Sequence, residues 1–218
     1  GCPVKKVTGG HSGSALLKDV EHALTLIAAV VAAVSVPVTL KVRLGWDDDS
    51  IVAPDLARRA EACGIKLVTV HGRTRQQFFT GRANWAAIRA VKDRVSIPVV
   101  ANGDLAGVDH VTTMIKQSGA DAVMIGRGAQ GRPWLPGQIA AFLKDGERTP
   151  DPVLADQHAV AREHYDGLLT LYGRDVGTRH ARKHLGWYLD EAARTSGADL
   201  EPAMRIAVMT APTAEEAQ

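Results

Sequence analysis

Two kinds of residue in this sequence could do chemistry: a thiol in a tight turn, and polar groups that follow short apolar runs. Cys2 lies between Gly1 and Pro3, with Lys5 and Lys6 close behind it. A turn of this kind exposes a thiol, and a thiol can transfer a proton near neutral pH, so Cys2 could serve as a general acid. The alternative is a solvent-exposed cysteine with no chemical role.

Polar residues or glycine end four apolar runs of the chain. Lys41 and Arg43 lie two residues apart in the first run, so they share one face of a strand. His71 ends the second run, Asn102 the third and Gly126 the fourth. Cations on an apolar strand are costly unless they reach an open mouth or an anion. A salt bridge at the strand end is the alternative for Lys41 and Arg43.

The loops behind these runs are rich in glycine and arginine. In 102–104 (NGD) and 126–128 (GRG), glycine lets backbone N–H groups approach a ligand, and Arg127 could bind a phosphate with its guanidinium. Plain strand-to-helix turns are the alternative. Arg73 and Arg75 lie in a loop with two phenylalanines, a combination that suits stacking and phosphate contact in nucleic-acid binding. A solvated basic loop is the alternative there.

The elements that must position these groups alternate between short β-branched runs and helical patterns. We predict strands over 37–43, 66–71, 98–102 and 121–126, and helices over 14–34, 51–63, 85–95, 108–117 and 133–143. Strand interiors that are apolar in successive positions are typical of parallel strands buried on both faces. Lys41, His71, Asn102 and Gly126 are spaced by 30, 31 and 24 residues, which favours a (β/α)₈ barrel with its site at the carboxyl ends of the strands. A Rossmann-like sheet is the second choice, but no GxGxxG follows a strand.

A proline-rich hinge over 149–152 separates a C-terminal segment with helical patterns over 153–172 and 178–193. We expect a partial barrel domain over 1–148 and a small all-helical domain over 149–218. A whole barrel needs roughly 250 residues, so we expect the C-terminal half of a barrel, with the leading half outside this sequence. Arg179, Arg182 and Lys183 fall on one helix face, which could grip a nucleic-acid backbone or simply be solvated.

The composition is that of an ordinary soluble globular protein. The 218 residues are 45% hydrophobic and 23% charged, which excludes collagen, a disordered chain or a coiled coil. Residues 1–150 carry 19 basic against 13 acidic residues, and 151–218 carry 7 against 11, so the first part could attract an anionic ligand. Two cysteines and no His/Cys cluster predict no disulfide framework and no metal site, and favour the cytoplasm. The most apolar run, 23–34, is too short to span a bilayer, and we expect a buried helix there.

Seven segments occur in the order typical of tRNA-dihydrouridine synthases, and the chain resembles the bacterial B-type branch of that family over essentially its whole length. They are 1–7 (GCPVKKV), 13–17 (GSALL), 41–46 (KVRLGW), 71–75 (HGRTR), 102–104 (NGD), 126–134 (GRGAQGRPW) and 181–184 (ARKH). The resemblance implies an FMN-binding barrel followed by a helical tRNA-binding domain. It also implies reduction of selected tRNA uridines to dihydrouridine, with NADPH as the reductant.

The same resemblance assigns roles to individual residues. Cys2 is expected to donate the proton to C5 of the uracil, and Lys41 and His71 to contact the flavin. The segments that hold the FMN ribityl phosphate correspond to Asn102, Gly103, Asp104, Gly126 and Arg127. Weaker candidates for RNA contact are Arg43, Arg73, Arg75, Arg179, Arg182 and Lys183.

The implied partner is tRNA, with neither a membrane nor DNA involved. Two other functions stay open. One is a chain that binds tRNA without catalysis, since half a barrel would leave the cofactor site incomplete. The other is a different FMN-dependent barrel oxidoreductase that acts on a small molecule.

Overall fold

The computed structural model describes residues 1–216, which form two compact units, Gly1–Gly126 and a second unit from Arg127 onward. The predicted domain boundary at 148/149 lies within the second unit and stays a prediction. The strands of the first unit are β1 (Thr39–Arg43), β2 (Leu67–His71), β3 (Val99–Asn102) and β4 (Ala122–Met124). Its helices are α1 (Lys5–Thr8), a 3₁₀ helix (Gly13–Lys18), α2 (Val20–Ala33), α3 (Ala53–Ala62), α4 (Trp85–Lys92) and α5 (Val108–Ser118).

The four strands form one parallel sheet in chain order, β1-β2-β3-β4. The helices also contact one another in chain order, α2 against α3, α3 against α4 and α4 against α5. A doubly wound sheet reverses its strand order and places helices on both faces, whereas successive units of a barrel do neither. The predicted fold, part of a (β/α)₈ barrel, is confirmed, and the Rossmann-like alternative is wrong.

The two faces of the sheet have different side chains. The positions packed beneath the helix layer are fully buried and apolar: Val68, Val70, Val99 and Ala101. The register of the other face aligns Arg43 with His71, and His71 with Asn102, at the carboxyl ends of β1, β2 and β3. Lys41 lies one side-chain position lower on the same face, opposite Thr69. Parallel pairing therefore gathers residues about 30 positions apart in sequence at one edge.

The opposite edge of the sheet is held by carboxylates. Asp121 accepts hydrogen bonds from Lys92 Nζ at 2.8 Å and from the backbone N–H of Val99 at 2.8 Å, and the bond from Lys92 lowers the pKa of Asp121. Glu61 accepts from the backbone N–H of Ser96 at 3.1 Å. These contacts join α3 and α4 to the beginnings of β3 and β4, so this edge stabilises the fold.

Local sequence signals explain where several helices begin and end. The Asp19 side chain accepts a hydrogen bond from the His22 N–H at 2.9 Å and caps α2. Asn84 caps α4 in the same way, through the Ala87 N–H at 3.0 Å. Gly119 ends α5 in the left-handed conformation with φ of +65°, as glycine commonly does after a helix.

The prediction of a buried helix over 23–34 is wrong for most of α2. Ala23 and Leu24 are buried, but Leu26 is 43% exposed and Val30 is 50% exposed. One side of α2 packs on α3 and the 3₁₀ helix, and Leu26 and Val30 on the helix and Val34 directly after it are exposed. No helix in this described part of the chain is long and apolar enough to cross a lipid bilayer.

In the described part of the second unit, all the regular secondary structure is helical. It contains a 3₁₀ turn (Arg127–Ala129), α6 (Leu135–Asp145), α7 (Leu154–Tyr172), α8 (Arg174–Ser196) and α9 (Pro202–Thr210). Helices α7 and α8 pack along each other, α9 packs on α8, and the buried cluster consists of Tyr165, Ala181, Ala211 and Ala214. The predicted helices over 153–172 and 178–193 are confirmed, although α8 begins at Arg174, and α9 was not predicted.

The proline-rich segment over 149–152 is anchored by Asp151. That carboxylate accepts hydrogen bonds from Trp134 Nε1 at 3.0 Å, from Gln138 Nε2 at 3.0 Å and from Arg194. Burial by itself would raise the pKa of Asp151, but these hydrogen bonds outweigh it and lower the pKa to about 2. The expectation of a hinge is therefore corrected: the segment is bound to α6 and α8.

We expect Gly119→Ala to lower the free energy of unfolding by about 2 kcal/mol, since the left-handed conformation costs other residues roughly 1–2 kcal/mol. A Cβ there would also lie 2.7 Å from the Arg89 guanidinium, which donates to the Gln117 carbonyl at 3.2 Å and would have to move. Gly81 has φ of +62° with open space around it, so Gly81→Ala isolates the backbone cost. Urea denaturation compares the two variants, and equal losses would contradict the role of Arg89.

Candidate active site

A buried arginine joins the loops that follow β2 and β3. Arg73 is 1% exposed, and its guanidinium donates to both carboxylate oxygens of Asp104 at 2.8 and 2.7 Å. It also donates to the backbone carbonyls of Thr80 at 3.0 Å and Gly81 at 2.6 Å. A planar guanidinium that donates to both oxygens of a carboxylate fixes the relative orientation of the two groups as well as their distance. Arg73 therefore holds the two loops in one arrangement.

These contacts change what is expected of Arg73 and Asp104. A guanidinium that is buried and bonded within the chain is not available to an RNA backbone, so the burial of Arg73 does not support its expected RNA contact. The Asp104 carboxylate also accepts from the Ala83 N–H at 2.7 Å. Both side chains serve to build the strand-end site, and the role of Asp104 at a cofactor phosphate stays a prediction.

His71 is a neutral hydrogen-bond donor in this site. Its Nε2 lies 3.3 Å from Arg73 Nη1, and a guanidinium can only donate, so Nε2 must accept and the proton must be on Nδ1. Burial lowers the pKa of His71 to about 4, helped by the positive charges of Arg43, Lys41 and Arg73. At neutral pH the ring therefore carries one N–H, on the nitrogen that faces away from Arg73.

The loop after β3 brings backbone close to His71. Asn102 is buried and its Nδ2 donates to the Met124 carbonyl at 2.9 Å, which joins the ends of β3 and β4. Gly103 has φ of +120°, and a Cβ there would lie 3.0 Å from the His71 ring. The Gly103 carbonyl accepts from Trp85 Nε1 at 2.8 Å. Only glycine fits at this point, because the Ala83 Cβ and the His71 ring fill the space that a side chain would occupy.

Lys41 and Arg43 share a face but differ in exposure. Arg43 is 2% exposed, its Nη1 donates to the Thr74 carbonyl at 2.8 Å, and its guanidinium lies 5.6 Å from the centre of the Phe79 ring. Its burial therefore gives no support to an RNA contact. Lys41 is exposed to solvent, yet partial burial of its ammonium group and the nearby charge of Arg43 lower its pKa. Lys41 is the cation of this face that a ligand can reach.

The thiol turn is fixed to the carboxyl end of the sheet. Cys2 is exposed, and its carbonyl accepts from the Ser14 N–H at 2.9 Å. Arg75, from the loop after β2, donates to the Pro3 carbonyl at 3.2 Å. A Cβ on Gly1 would lie 3.2 Å from the Lys41 carbonyl, so the turn also packs against β1. Arg75 was expected to contact RNA; in the structure it ties the Cys2 turn to the strand ends.

Trp46 is a site residue that the sequence analysis missed. Two cations lie over its ring, with Lys18 Nζ 3.8 Å and the Arg75 guanidinium 4.6 Å from the ring centre. A cation over the face of a tryptophan ring is attracted by its electron-rich surface, and this interaction restricts the motion of both side chains. Trp46 therefore orients Arg75 and, through it, the Cys2 turn. The available signal was an aromatic residue directly after the loop glycine that follows β1.

The other predicted residues are placed as follows. Gly126 follows β4 with open space around it, and Arg127 is the first residue of the second unit; their contact with a phosphate stays a prediction. On α8, Arg182 Nη2 donates to the Ala211 carbonyl at 2.8 Å, whereas Arg179 and Lys183 are exposed. Their contact with RNA also stays a prediction. Among residues 1–216, no group of three or more His, Cys, Asp or Glu side chains could hold a metal ion.

The arrangement suits a polar ligand that carries or gains negative charge. An N–H donor from His71 and the ammonium of Lys41 lie on the same face of neighbouring strands. The exposed thiol of Cys2 is held beside β1 and can supply a proton. Proton donation next to a stabilised negative charge is the chemistry this edge can perform.

Comparison with known proteins gives one consistent family. The sequence profile described as "Dihydrouridine synthase (Dus)" matches residues 1–206. A "Probable tRNA-dihydrouridine synthase" of Rhizobium leguminosarum bv. phaseoli is 58% identical over 193 residues, 88% of this chain and 59% of the relative. One of the same name from Rhodobacter capsulatus is 52% identical over 213 residues, 96% of this chain and 66% of the relative. The "tRNA-dihydrouridine synthase B" of Xanthomonas axonopodis pv. citri is 50% identical over 188 residues, 86% of this chain and 57% of the relative.

The chain spans about three-fifths of the length of these curated relatives. Among solved structures, a mandelate oxidase variant with benzaldehyde aligns with 89% of this chain and 63% of its own. The sequence identity is 16% and the TM-score is 0.32. A likeness this low carries no argument about function.

Removal of the Arg73 guanidinium should destabilise the strand-end loops. We expect Arg73→Ala to lower the free energy of unfolding by about 3 kcal/mol, because breaking a buried ion pair leaves its partner uncompensated. Arg82 is exposed in the same loop, so Arg82→Ala removes the same charge and should change stability by less than about 0.5 kcal/mol. Urea denaturation measures both variants. Similar effects at the two positions would contradict the structural role of Arg73.

His71 should stay neutral far below the ordinary histidine pKa of 6.5, titrating near pH 4 in the folded protein. Nitrogen NMR of the ring should also show the proton on Nδ1. The unfolded chain takes up this proton near pH 6.5, so the contribution of His71 lowers stability as the pH falls from 6.5 to about 4. His71→Asn should remove that part of the pH dependence of unfolding. A ring that titrates near pH 6.5, or an unchanged pH dependence in the variant, would contradict this assignment.

Proposed function

The chain belongs to the dihydrouridine synthase family, and we propose that its protein reduces uridines of tRNA to 5,6-dihydrouridine, using FMN and NADPH. The observation that carries the proposal is the link from Arg75 to Pro3, which fixes the Cys2 turn at the sheet edge that presents Lys41 and His71. A proton donor and a site for an electron-rich ligand are thus combined at one edge. A tRNA substrate reduced at the expense of NADPH is consistent with a protein of the cytoplasm.

The residues at this edge fit FMN. The Nδ1–H of His71 and the ammonium of Lys41 are groups that hydrogen-bond the polar edge of an isoalloxazine ring. Gly126, which has open space around it, and Arg127 follow the next strand, where barrel proteins often bind a cofactor phosphate. We assign the ring to His71 and Lys41, and the ribityl phosphate to the segments that contain Asn102, Gly103, Asp104, Gly126 and Arg127. When bound, FMN supplies the hydride for C6 of the uracil.

Cys2 completes the reduction. Addition of hydride to C6 leaves an electron pair at C5, and a proton from the Cys2 thiol forms the new C5–H bond. The thiolate then regains a proton from solvent, so one hydride and one proton are added across the double bond. The exposed position of Cys2 allows this reprotonation, and the hydrogen bonds of Ser14 and Arg75 keep the turn in place.

Lys41 and His71 prepare the site electrostatically. The positive charge of Lys41 stabilises negative charge that develops on the bound ligands. His71 stays neutral because its ring is partly buried and because the charges of Arg43, Lys41 and Arg73 would repel another cation, so it contributes an N–H without adding charge. The neutral imidazole thus holds a ligand without changing the charge balance of the site.

A uridine in folded tRNA must leave its stack to reach such an edge. Extrusion of a base costs a few kcal/mol, which contacts with the RNA backbone have to offset. We assign these contacts to the cations of α8: Arg179, Arg182 and Lys183. Arg75 is half-buried and bonded to Pro3, so its contribution to RNA binding is indirect.

Replacement of the thiol tests the proposal in the full-length protein. With FMN, NADPH and tRNA, we expect dihydrouridine by mass spectrometry and a flavin absorbance from the purified protein. Cys2→Ala should lower the rate by at least about 100-fold, the usual contribution of a general acid, while the flavin stays bound. Cys63→Ala removes the half-buried second thiol at the end of α3 and should leave the rate unchanged.

Other results of the same experiment would support one of the two alternative functions or contradict the role of Cys2. Product formation that is unaffected by Cys2→Ala would contradict the assigned proton donor. Binding of tRNA without flavin would indicate a protein that binds RNA without catalysis. Bound flavin without any product on tRNA would indicate an oxidoreductase for a small molecule.

A further inference from the structure

A polar cavity of about 480 Å³ lies at the beginning of α8, beneath the segment that follows α9. Three arginines line it, Arg174, Arg179 and Arg182, and we call it the arginine pocket. Two carboxylates, Asp175 and Glu215, and two hydroxyl side chains, Thr178 and Thr213, complete the polar lining. The pocket belongs entirely to the second unit.

The charges of the three arginines are only partly satisfied. Arg174 pairs with Glu215. Arg182 donates one N–H to the Ala211 carbonyl at 2.8 Å, but its Nε is buried and has no acceptor. Arg179 is exposed and makes no hydrogen bond or ion pair within the part of the chain that the structure describes. A buried N–H without an acceptor costs about 1–3 kcal/mol, so an anion that enters the pocket is favoured.

The side chain of Glu215 is held weakly, whereas the backbone of its segment is held firmly. Tyr165 Oη donates to the Ala214 carbonyl at 2.8 Å, and Ala211 and Ala214 are buried in the core of the unit. By contrast, the side chains of Arg174 and Glu215 are 62% and 70% exposed. An exposed ion pair contributes about 0–1 kcal/mol, so the carboxylate can leave while the segment stays in place.

We infer that the arginine pocket binds a phosphate group, and that Glu215 occupies part of it as a competing anion. A phosphate offers more acceptor oxygens than a carboxylate, and guanidinium groups bind it through paired hydrogen bonds. The Glu215 carboxylate then acts as a built-in competitor that the phosphate displaces from Arg174. This deepens the RNA contact proposed for Arg179 and Arg182 and rests on it for an RNA ligand, whereas phosphate binding itself holds whether or not the protein reduces uridine. The phosphate could belong to an RNA backbone or to a free phosphate compound.

Neutralisation of Glu215 tests the competition in the full-length protein, with FMN present to fill the assigned cofactor site. Glu215→Gln keeps the shape of the side chain and removes its charge. Glu147→Gln makes the same change in net charge at an exposed position between α6 and α7, outside the pocket. Calorimetric titration with inorganic phosphate and fluorescence anisotropy with labelled tRNA, both at constant ionic strength, give the affinities.

We expect Glu215→Gln to tighten phosphate binding by about two- to five-fold, the range of one exposed ion pair, and Glu147→Gln to have a smaller effect. Adding Arg179→Gln, a change at an exposed side chain, should reverse the gain. If tRNA affinity rises in parallel and phosphate competes with tRNA, the ligand is an RNA backbone. If only phosphate binding responds, the ligand is a free phosphate compound.

Two results would overturn the inference. One is an equal effect of the two glutamine variants on phosphate affinity. The other is the absence of saturable phosphate binding in the Glu215→Gln protein. Failure of the proposed function has a different signature, namely no dihydrouridine, and would leave the phosphate titrations unchanged.

Discussion

The strand-end site depends on one buried ion pair, that of Arg73 with Asp104. Removal of a guanidinium from water costs several kcal/mol, and the structure offsets this only because a carboxylate and two backbone carbonyls accept its N–H groups. The same guanidinium also fixes the tautomer of His71 because it donates to Nε2, while burial and the charges of Arg43, Lys41 and Arg73 lower the pKa of the ring. One arginine therefore fixes both the shape of the loops and the nitrogen on which the His71 proton lies.

The two edges of the parallel sheet have different roles: the amino edge stabilises the fold, and the carboxyl edge presents the residues that could do chemistry. At the amino edge, Asp121 and Glu61 satisfy backbone N–H groups and leave little for a ligand. At the carboxyl edge, Arg73 and Arg75 take over the fixing of loops, which leaves Lys41, His71 and Cys2 free of that task. This division follows from parallel pairing, because every strand delivers its loop to the same edge.

The sequence predicts the elements well, because β-branched runs and glycine stops are local signals; Gly119 at the end of α5 is an example. It also predicts that Lys41, His71 and Asn102 meet, since parallel strands align their ends. It cannot predict the burial of Arg73, whose partner Asp104 is 31 residues away and whose own neighbours are basic and aromatic. The role of Trp46 and the exposure of α2 are hidden for the same reason: both depend on contacts between distant segments.

Charge counts along the chain also miss contacts between distant segments. Residues 151–218 are acidic as a whole, yet three arginines meet at the beginning of α8, and the acid that compensates one of them, Glu215, lies 41 residues further on. In the first unit, burial together with the charges of Arg43, Lys41 and Arg73 keeps the His71 imidazole neutral. The arrangement of charges, which topology sets, therefore decides what each site can bind. A neutral donor among cations suits a ligand that gains negative charge, and a cation cluster closed by a weakly held carboxylate suits a stronger anion.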